Sequence, residues 1–302
     1  MGTNKTRDIA EEKEYLKSYD ISQFERPSIA TDIVVFSILN DGKRDSIRRL
    51  QKKSLQILLV RRSGYPYKDY WALPGGFCVP GEDVCETAAR ELYEETNVKN
   101  AYMKLVDVYG EKDRDPRGWI VSNTFMALID GEQSELKAGT DTDEARWFTI
   151  ELNDNVKLKD VTKKQATINT DYELCFRNNE IGAEFKCMLS EHKVFKNYHE
   201  NVSYVIDDSS ELAFDHAKII MNALMRLRRE TEYNFRVAFD LVPERFTLTQ
   251  LQNVYELIWD KKLITANFRR KILEYVSETE VSIEGEGFRP AKLFERNLEK
   301  FY

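Results

Sequence analysis

Short runs of branched apolar residues alternate with charged stretches through the first half of the chain. Ile29–Leu39 and Leu55–Val60 are such runs and predict two strands. The charged segment Asn40–Lys53 between them is expected to be a loop. Arg61–Tyr70 is a loop rich in arginine and tyrosine, and Trp71–Leu73 leads into Pro74 and the paired glycines Gly75 and Gly76. After Asp83 the apolar period becomes helical, with Val84, Ala88 and Leu92 on one stripe. Asp83 and Glu86 have the spacing of a capping box, and Asn97 suits the left-handed residue that ends a helix. Further strands are expected at Leu105–Tyr109, Ile120–Ile129 and Ala145–Phe148, the last followed by a helical turn at Thr149–Asn153. Together these predict an α/β fold around a mixed sheet.

The second half follows a different order. Thr167–Phe176, Phe185–Leu189 and Asn201–Ile206 read as strands. In Asp208–Tyr233, Phe214, Ala217, Ile220, Leu224 and Leu227 recur at helical spacing and predict a linker helix. Two helices follow, Thr247–Trp259 and Thr265–Tyr275, the second with Thr265 as N-cap. A hairpin of Val281–Ile283 and Lys292–Phe294 around Gly285-Glu286-Gly287 completes the plan of a winged helix-turn-helix. The expected division is a polar lead-in over 1–27 with a short helix near Glu11–Lys17, an α/β domain over 28–153, a β-rich insertion or extension over 154–210, a linker helix over 211–239 and a winged helix domain over 240–302.

Composition narrows the classes. The chain has 302 residues, 42% of them hydrophobic, enough for two modest cores. Its net charge of -7 gives no global attraction to nucleic acid or to a membrane surface, although a local basic face is compatible with it. Four cysteines without a CxxC pair, and three histidines, argue against a cysteine–histidine zinc cluster. The N-terminal residues lack the apolar core of a signal peptide, so a reducing cytoplasmic location is expected.

Glu91, Glu94 and Glu95 crowd one side of the first predicted helix. Three carboxylates so close repel one another unless a cation neutralises them. Mg²⁺ takes hard oxygen ligands and acts on phosphate substrates, and Mn²⁺ can substitute. Gly76, with no side chain, can bring its carbonyl to the same ion. Arg90 can pair with Glu82 or Glu91 and hold the carboxylates in place. The implied chemistry is cleavage of a phosphoanhydride.

The order Gly76, Glu82, Arg90, Glu91, Leu92, Glu94, Glu95 and Val98 resembles the Nudix hydrolase signature, with Asn97 where the family carries glycine. Asparagine tolerates the left-handed conformation required there. The resemblance implies that Glu94 and Glu95 are the main metal ligands, that Glu91 is a further ligand or the base that activates water, and that Glu82 supports them. Asp141, Asp143 and Glu144 are candidates for a base outside the motif, with Glu144 carried forward. The segments FERPSIATDIVVF, YWALPGGF, DRDPRGWIVS, ELAFDHAKII and NFRRKIL resemble the subgroup that joins a Nudix domain to a C-terminal winged helix. That subgroup holds ADP-ribose pyrophosphatases and NrtR-like repressors that respond to ADP-ribose.

The expected activity is Mg²⁺-dependent hydrolysis of ADP-ribose to AMP and ribose 5-phosphate. Arg61, Arg62, Arg114 and Arg117 are candidate phosphate contacts, since the guanidinium fork matches phosphate oxygens. Asp–Arg pairing within the Asp113–Gly118 loop is the competing role for Arg114 and Arg117. Tyr70, with Tyr65 and Tyr67, is a candidate for stacking on adenine. His216 is expected at the linker-helix interface rather than at a metal. The alternative is an ADP-ribose-responsive regulator of NAD or sugar metabolism that binds DNA through Asn267, Arg269, Arg270 and Lys271. The acidic hairpin residues Glu278, Glu280, Glu284 and Glu286 oppose that role. A homodimer suits either reading, and a pure dimerisation role for the tail is a third.

Overall fold

The structure is a computed structural model and describes residues 9–41, 53–99, 101, 103–131, 142–162, 165–197, 199–283 and 291–301. Most of the expected loop between the first two strands, Asp141 and the hairpin tip with Glu284 and Glu286 lie outside the described residues, as does the side chain of Asp143.

A lead-in helix α1 (Ile9–Ser18) precedes β1 (Ser28–Asn40). Then come β2 (Lys53–Arg62), β3 (Trp71–Ala72), β4 (Gly75–Phe77), α2 (Val84–Thr96), β5 (Met103–Tyr109) and β6 (Ile120–Leu128). Four long strands follow: β7 (Thr142–Val161), β8 (Gln165–Asn178), β9 (Ala183–Lys196) and β10 (His199–Asp208). All ten form one sheet, whose main path runs β10-β9-β8-β7-β2-β1-β6-β5. The β1–β6 pair is parallel and the other pairs are antiparallel, so the sheet is mixed.

The central strand β1 is apolar on both faces because both are covered. Ile33 and Val35 pack with Ala88 and Leu92 of α2, whereas Val34, Phe36 and Ile38 join the core on the other face. That second face receives α3 (His216–Tyr233), which buries Ala217, Ile220, Leu224 and Leu227. Burying one such leucine contributes about 1.5–3 kcal/mol relative to leaving it exposed.

Two local expectations are corrected. Thr149–Asn153 is not a helical turn but the middle of β7, paired with β8 from Thr149↔Arg177 to Val161↔Ala166. Ile150 and Leu152 point into the core while Glu151 and Asn153 are exposed, a period of two that favours a strand. Segment 154–210 accordingly continues the same sheet. Phe214, placed by its spacing on the stripe of α3, instead precedes the helix with φ 54°.

The tail consists of a 3₁₀ turn (Val237–Leu241), α4 (Leu248–Trp259), α5 (Thr265–Ile272) with a 3₁₀ turn after it, the hairpin strands β11 (Val276–Ile283) and β12 (Ala291–Arg296), and α6 (Leu298–Phe301). Thr247 and Gln250 form a reciprocal capping box at the start of α4. The N-cap of α5 is Ile264, without a side-chain cap, rather than Thr265. Phe239, Phe246, Tyr255, Phe268 and Ile272 build the core of this winged helix unit. It docks on the end of α3, where Arg228 Nε donates to the Ile258 carbonyl and Trp259 Nε1 to Thr231 Oγ1. Among the described residues no helix is long and apolar enough to cross a membrane.

Candidate active site

The turn before α2 and the first half of the helix are built by short-range chemistry. The Asp83 side chain accepts from the Cys85 and Glu86 amides, and the Glu86 carboxylate accepts from the Asp83 amide. Asn97 closes the helix in the left-handed region, φ 62°. Between these caps, Thr87, Ala88 and Leu92 face the sheet, and Glu91 and Glu95 are turned toward β4.

Glu95 Oε2 accepts the Gly75 amide at 2.9 Å. Burial pushes the Glu95 carboxyl up to about 8, against the opposing effect of that bond. The Glu91 carboxyl is also raised, again first by burial, with Arg90 pulling the other way. Arg90 is the organiser: it donates to Glu82 at 2.8 and 3.0 Å, to Glu91 Oε1 at 2.7 Å, to Glu94 at 3.0 Å and to the Phe77 carbonyl at 3.2 Å. A Cβ added to Gly76 would stand 2.4 Å from the Glu91 carboxylate carbon, so only glycine allows this approach.

These groups open on a cavity of about 560 Å³. Arg62, Gly76, Glu91, Glu95, Arg117 and Phe214 line it. The Arg62 and Arg117 guanidinium groups lie over the Phe214 ring, at 4.9 and 5.4 Å from its centre. Arg62 is lowered from its ordinary value, first by burial and then by the charge of Arg117. Two cations crowded over one ring are stabilised by an anion between them.

The sequence-predicted residues divide. Arg62, Gly76, Glu91, Glu95, Arg114 and Arg117 line the cavity, whereas Arg61, Tyr70, Arg90, Glu94 and Glu144 are not part of its wall. Arg61 donates to the Asp69 carbonyl, and Tyr70 packs edge-on against Tyr67. Glu144 lies opposite Arg61 on β7, 3.9 Å from Arg146. Arg114 has a different task from the one expected: its fork holds Asp215 at 2.7 and 2.9 Å, with Asp32 at 3.4 Å. Arg117 is held by Asp115 at 2.6 Å but keeps 41% of its side chain exposed, so it still presents charge to a ligand. Sequence reasoning missed Asp32 and Phe214. An acidic residue inside an apolar strand was the available signal for Asp32, whose partners come from three distant segments.

The donor set fits a hard divalent cation. Glu91, Glu94, Glu95 and the Gly76 carbonyl offer only oxygens, and the buried Glu95 carboxylate needs a compensating charge. Among the described residues no three His, Cys, Asp or Glu side chains are already gathered as ion ligands. Glu94 is the side chain with freedom to join, being 55% exposed and tied, among the described residues, to Arg90.

Residues 35–170 match the NUDIX domain family, and residues 238–295 match the NrtR DNA-binding winged helix domain family. The chain is 29% identical over 297 residues to a protein of Acinetobacter baylyi described as an ADPR responsive transcriptional repressor, with 97% of this chain and 91% of that one covered. It is 36% identical over 149 residues to an ADP-ribose pyrophosphatase of Methanocaldococcus jannaschii, spanning 48% of this chain and 76% of the relative. Its fold is shared with a MutT/nudix family protein from Enterococcus faecalis, at a TM-score of 0.66 and 23% identity over 97% of this chain and 95% of that one.

Proposed function

The chain belongs to the Nudix family, and from that premise we propose that it hydrolyses the diphosphate linkage of ADP-ribose, releasing AMP and ribose 5-phosphate, with Mg²⁺ as the working cation and Mn²⁺ able to replace it. The observation that carries this reading is the cavity in which Glu91, Glu95 and Gly76 stand beside the Arg62–Phe214–Arg117 cluster. One end offers carboxylates for a cation and the other offers cations for a diphosphate.

Arg62 and Arg117 bind and orient the diphosphate oxygens, and the substrate relieves their mutual repulsion. Glu91, Glu94, Glu95 and the Gly76 carbonyl would hold the divalent ion, which supplies charge neutralisation at the phosphates when bound. Arg90 donates to Oε1 of Glu91, which leaves Oε2 to take the proton of the attacking water. The water oxygen bonds to one phosphorus as that phosphorus's bond to the bridging oxygen breaks, and the bridging oxygen stays with the other phosphate, so one phosphate leaves with adenosine and the other with ribose. The test is incubation with Mg²⁺ and a panel of ADP-ribose, NADH, nucleotide sugars and dinucleotide polyphosphates, with products identified by mass. Rapid cleavage of another compound and little turnover of ADP-ribose would overturn the substrate.

The match of the tail to a DNA-binding winged helix, with the full-length similarity to a repressor, favours a second reading. Here ADP-ribose binds as a signal and the winged helix contacts DNA as part of a two-fold dimer. Tight ADP-ribose binding without cleavage, together with specific DNA binding, would establish this reading over the first. In α5, Phe268 and Ile272 are buried, and Asn267 and Lys271 line a cavity facing Arg228 and Phe235. Arg269 and Arg270 are exposed outside that cavity, which supports a role for them in meeting DNA phosphates.

A further inference from the structure

The start of α3 is tied into the segment that carries Gly76. The Leu73 amide donates to His216 Nδ1 at 3.0 Å, and His216 is buried at 4% exposure. A backbone amide only donates, so Nδ1 is the acceptor and the ring proton sits on Nε2. Nε2 faces Asp32 Oδ1 at 3.5 Å. The other Asp32 oxygen accepts from Ser122 Oγ at 2.5 Å and from Arg114 at 3.4 Å. Burial raises the Asp32 carboxyl, but its contacts with His216, Ser122 and Arg114 outweigh that and hold the group below its ordinary value.

The anchors along this segment are consecutive. Trp71 exchanges backbone bonds with Glu211 and Ala213, Pro74 accepts from Ile33, and Gly75 donates to Glu95. Leu73 stands between them, and its amide depends on one side chain. A backbone amide buried without an acceptor is costly enough to shift a short segment to another arrangement. The segment sets where Gly76 sits and, through the Gly75 amide, where the Glu95 carboxylate is held.

Resting on the hydrolase reading above, we infer that His216 and Asp32 are positioning residues for that reaction: His216 anchors the Leu73–Gly76 segment from the first turn of α3, and Asp32 fixes the orientation of its ring. Neither need touch the bond that breaks. The pair places Gly76 and Glu95, so its loss lowers turnover rather than ground-state affinity.

The experiment compares His216→Leu, His216→Asn and Asp32→Asn in the full chain. Amide exchange at Leu73 is followed by NMR, ADP-ribose binding by calorimetry, and kcat and KM by hydrolysis with Mg²⁺. His216→Leu is expected to speed Leu73 exchange and to lower kcat about tenfold, with KM and affinity within about twofold. His216→Asn places an amide oxygen where Nδ1 was, and is expected to recover the protection and most of the rate. Asp32→Asn is expected to weaken protection at Leu73 without removing its acceptor. Unchanged protection and kcat in His216→Leu would overturn the inference, as would an Asn variant no better than Leu. If His216→Leu does not fold, the decision falls to the other two: retained protection in His216→Asn with reduced protection in Asp32→Asn supports it, and any other pair of results refutes it. A wild-type protein that binds ADP-ribose without cleaving it would refute the hydrolase reading, while Leu73 exchange would still judge the anchor.

Discussion

Replacing Gly76 by Ala separates the needs of the fold from those of the site. The new Cβ would lie 2.4 Å from the Glu91 carboxylate carbon, whereas ordinary contact begins at 3.4 Å, so the carboxylate must retreat by about 1 Å (3.4 − 2.4). The colliding atoms are the end of a flexible side chain, and Gly76 does not have positive φ, so the backbone accepts alanine. Retreat loosens the 2.7 Å bond from Arg90, a partly exposed contact costing on the order of 1 kcal/mol or less. The site suffers more, because a misplacement of about 1 Å in a catalytic group costs about a hundredfold in rate. Gly75→Ala is the control. Its Cβ would lie 2.1 Å from the Thr31 carbonyl oxygen, a backbone atom in a paired strand that cannot move aside. Thermal melting and ADP-ribose hydrolysis on both variants check the reasoning. Gly76→Ala should melt close to wild type with turnover down about a hundredfold, and Gly75→Ala should lose stability outright. A Gly76→Ala protein that keeps turnover within about threefold of wild type, or that unfolds as Gly75→Ala does, would refute it.

Three further outcomes are expected. Glu95, raised from 4.5 to about 8 in the ion-free protein, keeps a proton in the folded state that the unfolded chain has released. Stability should therefore fall as pH rises across that window and level off above it, and Glu95→Gln should flatten the fall in pH-dependent denaturant melts. A divalent cation held there would compete with the same proton, so calorimetry with Mg²⁺ in buffers of different ionisation enthalpy should show proton release on binding. Replacing Arg269 and Arg270 with Ala should weaken DNA binding and reduce its salt slope by about one unit per lost phosphate contact, with hydrolysis within about twofold of wild type. An unchanged slope in fluorescence titrations would remove them from the DNA surface.

The parts of this molecule legible in the sequence are those built by neighbours along the chain. The capping box at Asp83, the stripe through Ala88 and Leu92, and the left-handed Asn97 depend on residues a turn apart, and the structure holds all three. The strand through Thr149–Asn153 was missed because so short an alternation does not by itself separate a strand from a turn, and the β8 strand that pairs with it comes some twenty residues later. The Asp32 network was illegible for the same reason: Asp32, Arg114, Ser122 and His216 meet only after the sheet has formed. Phe214 looked like core at helical spacing, and only its backbone conformation turns the ring toward two arginines.

The parallel pairing of β1 with β6 has a consequence for how the chain reaches this state. Ser28 meets Ile120 and Val60 meets Ala145, so the β1–β6 and β2–β7 pairings close over long loops whose entropy is lost before those pairings are gained. In the tail, by contrast, Val276 pairs with Arg296 and the helices beside them are adjacent in sequence. The winged helix is thus expected to form faster than the sheet, ready as a surface before α3 has a finished sheet to lie against.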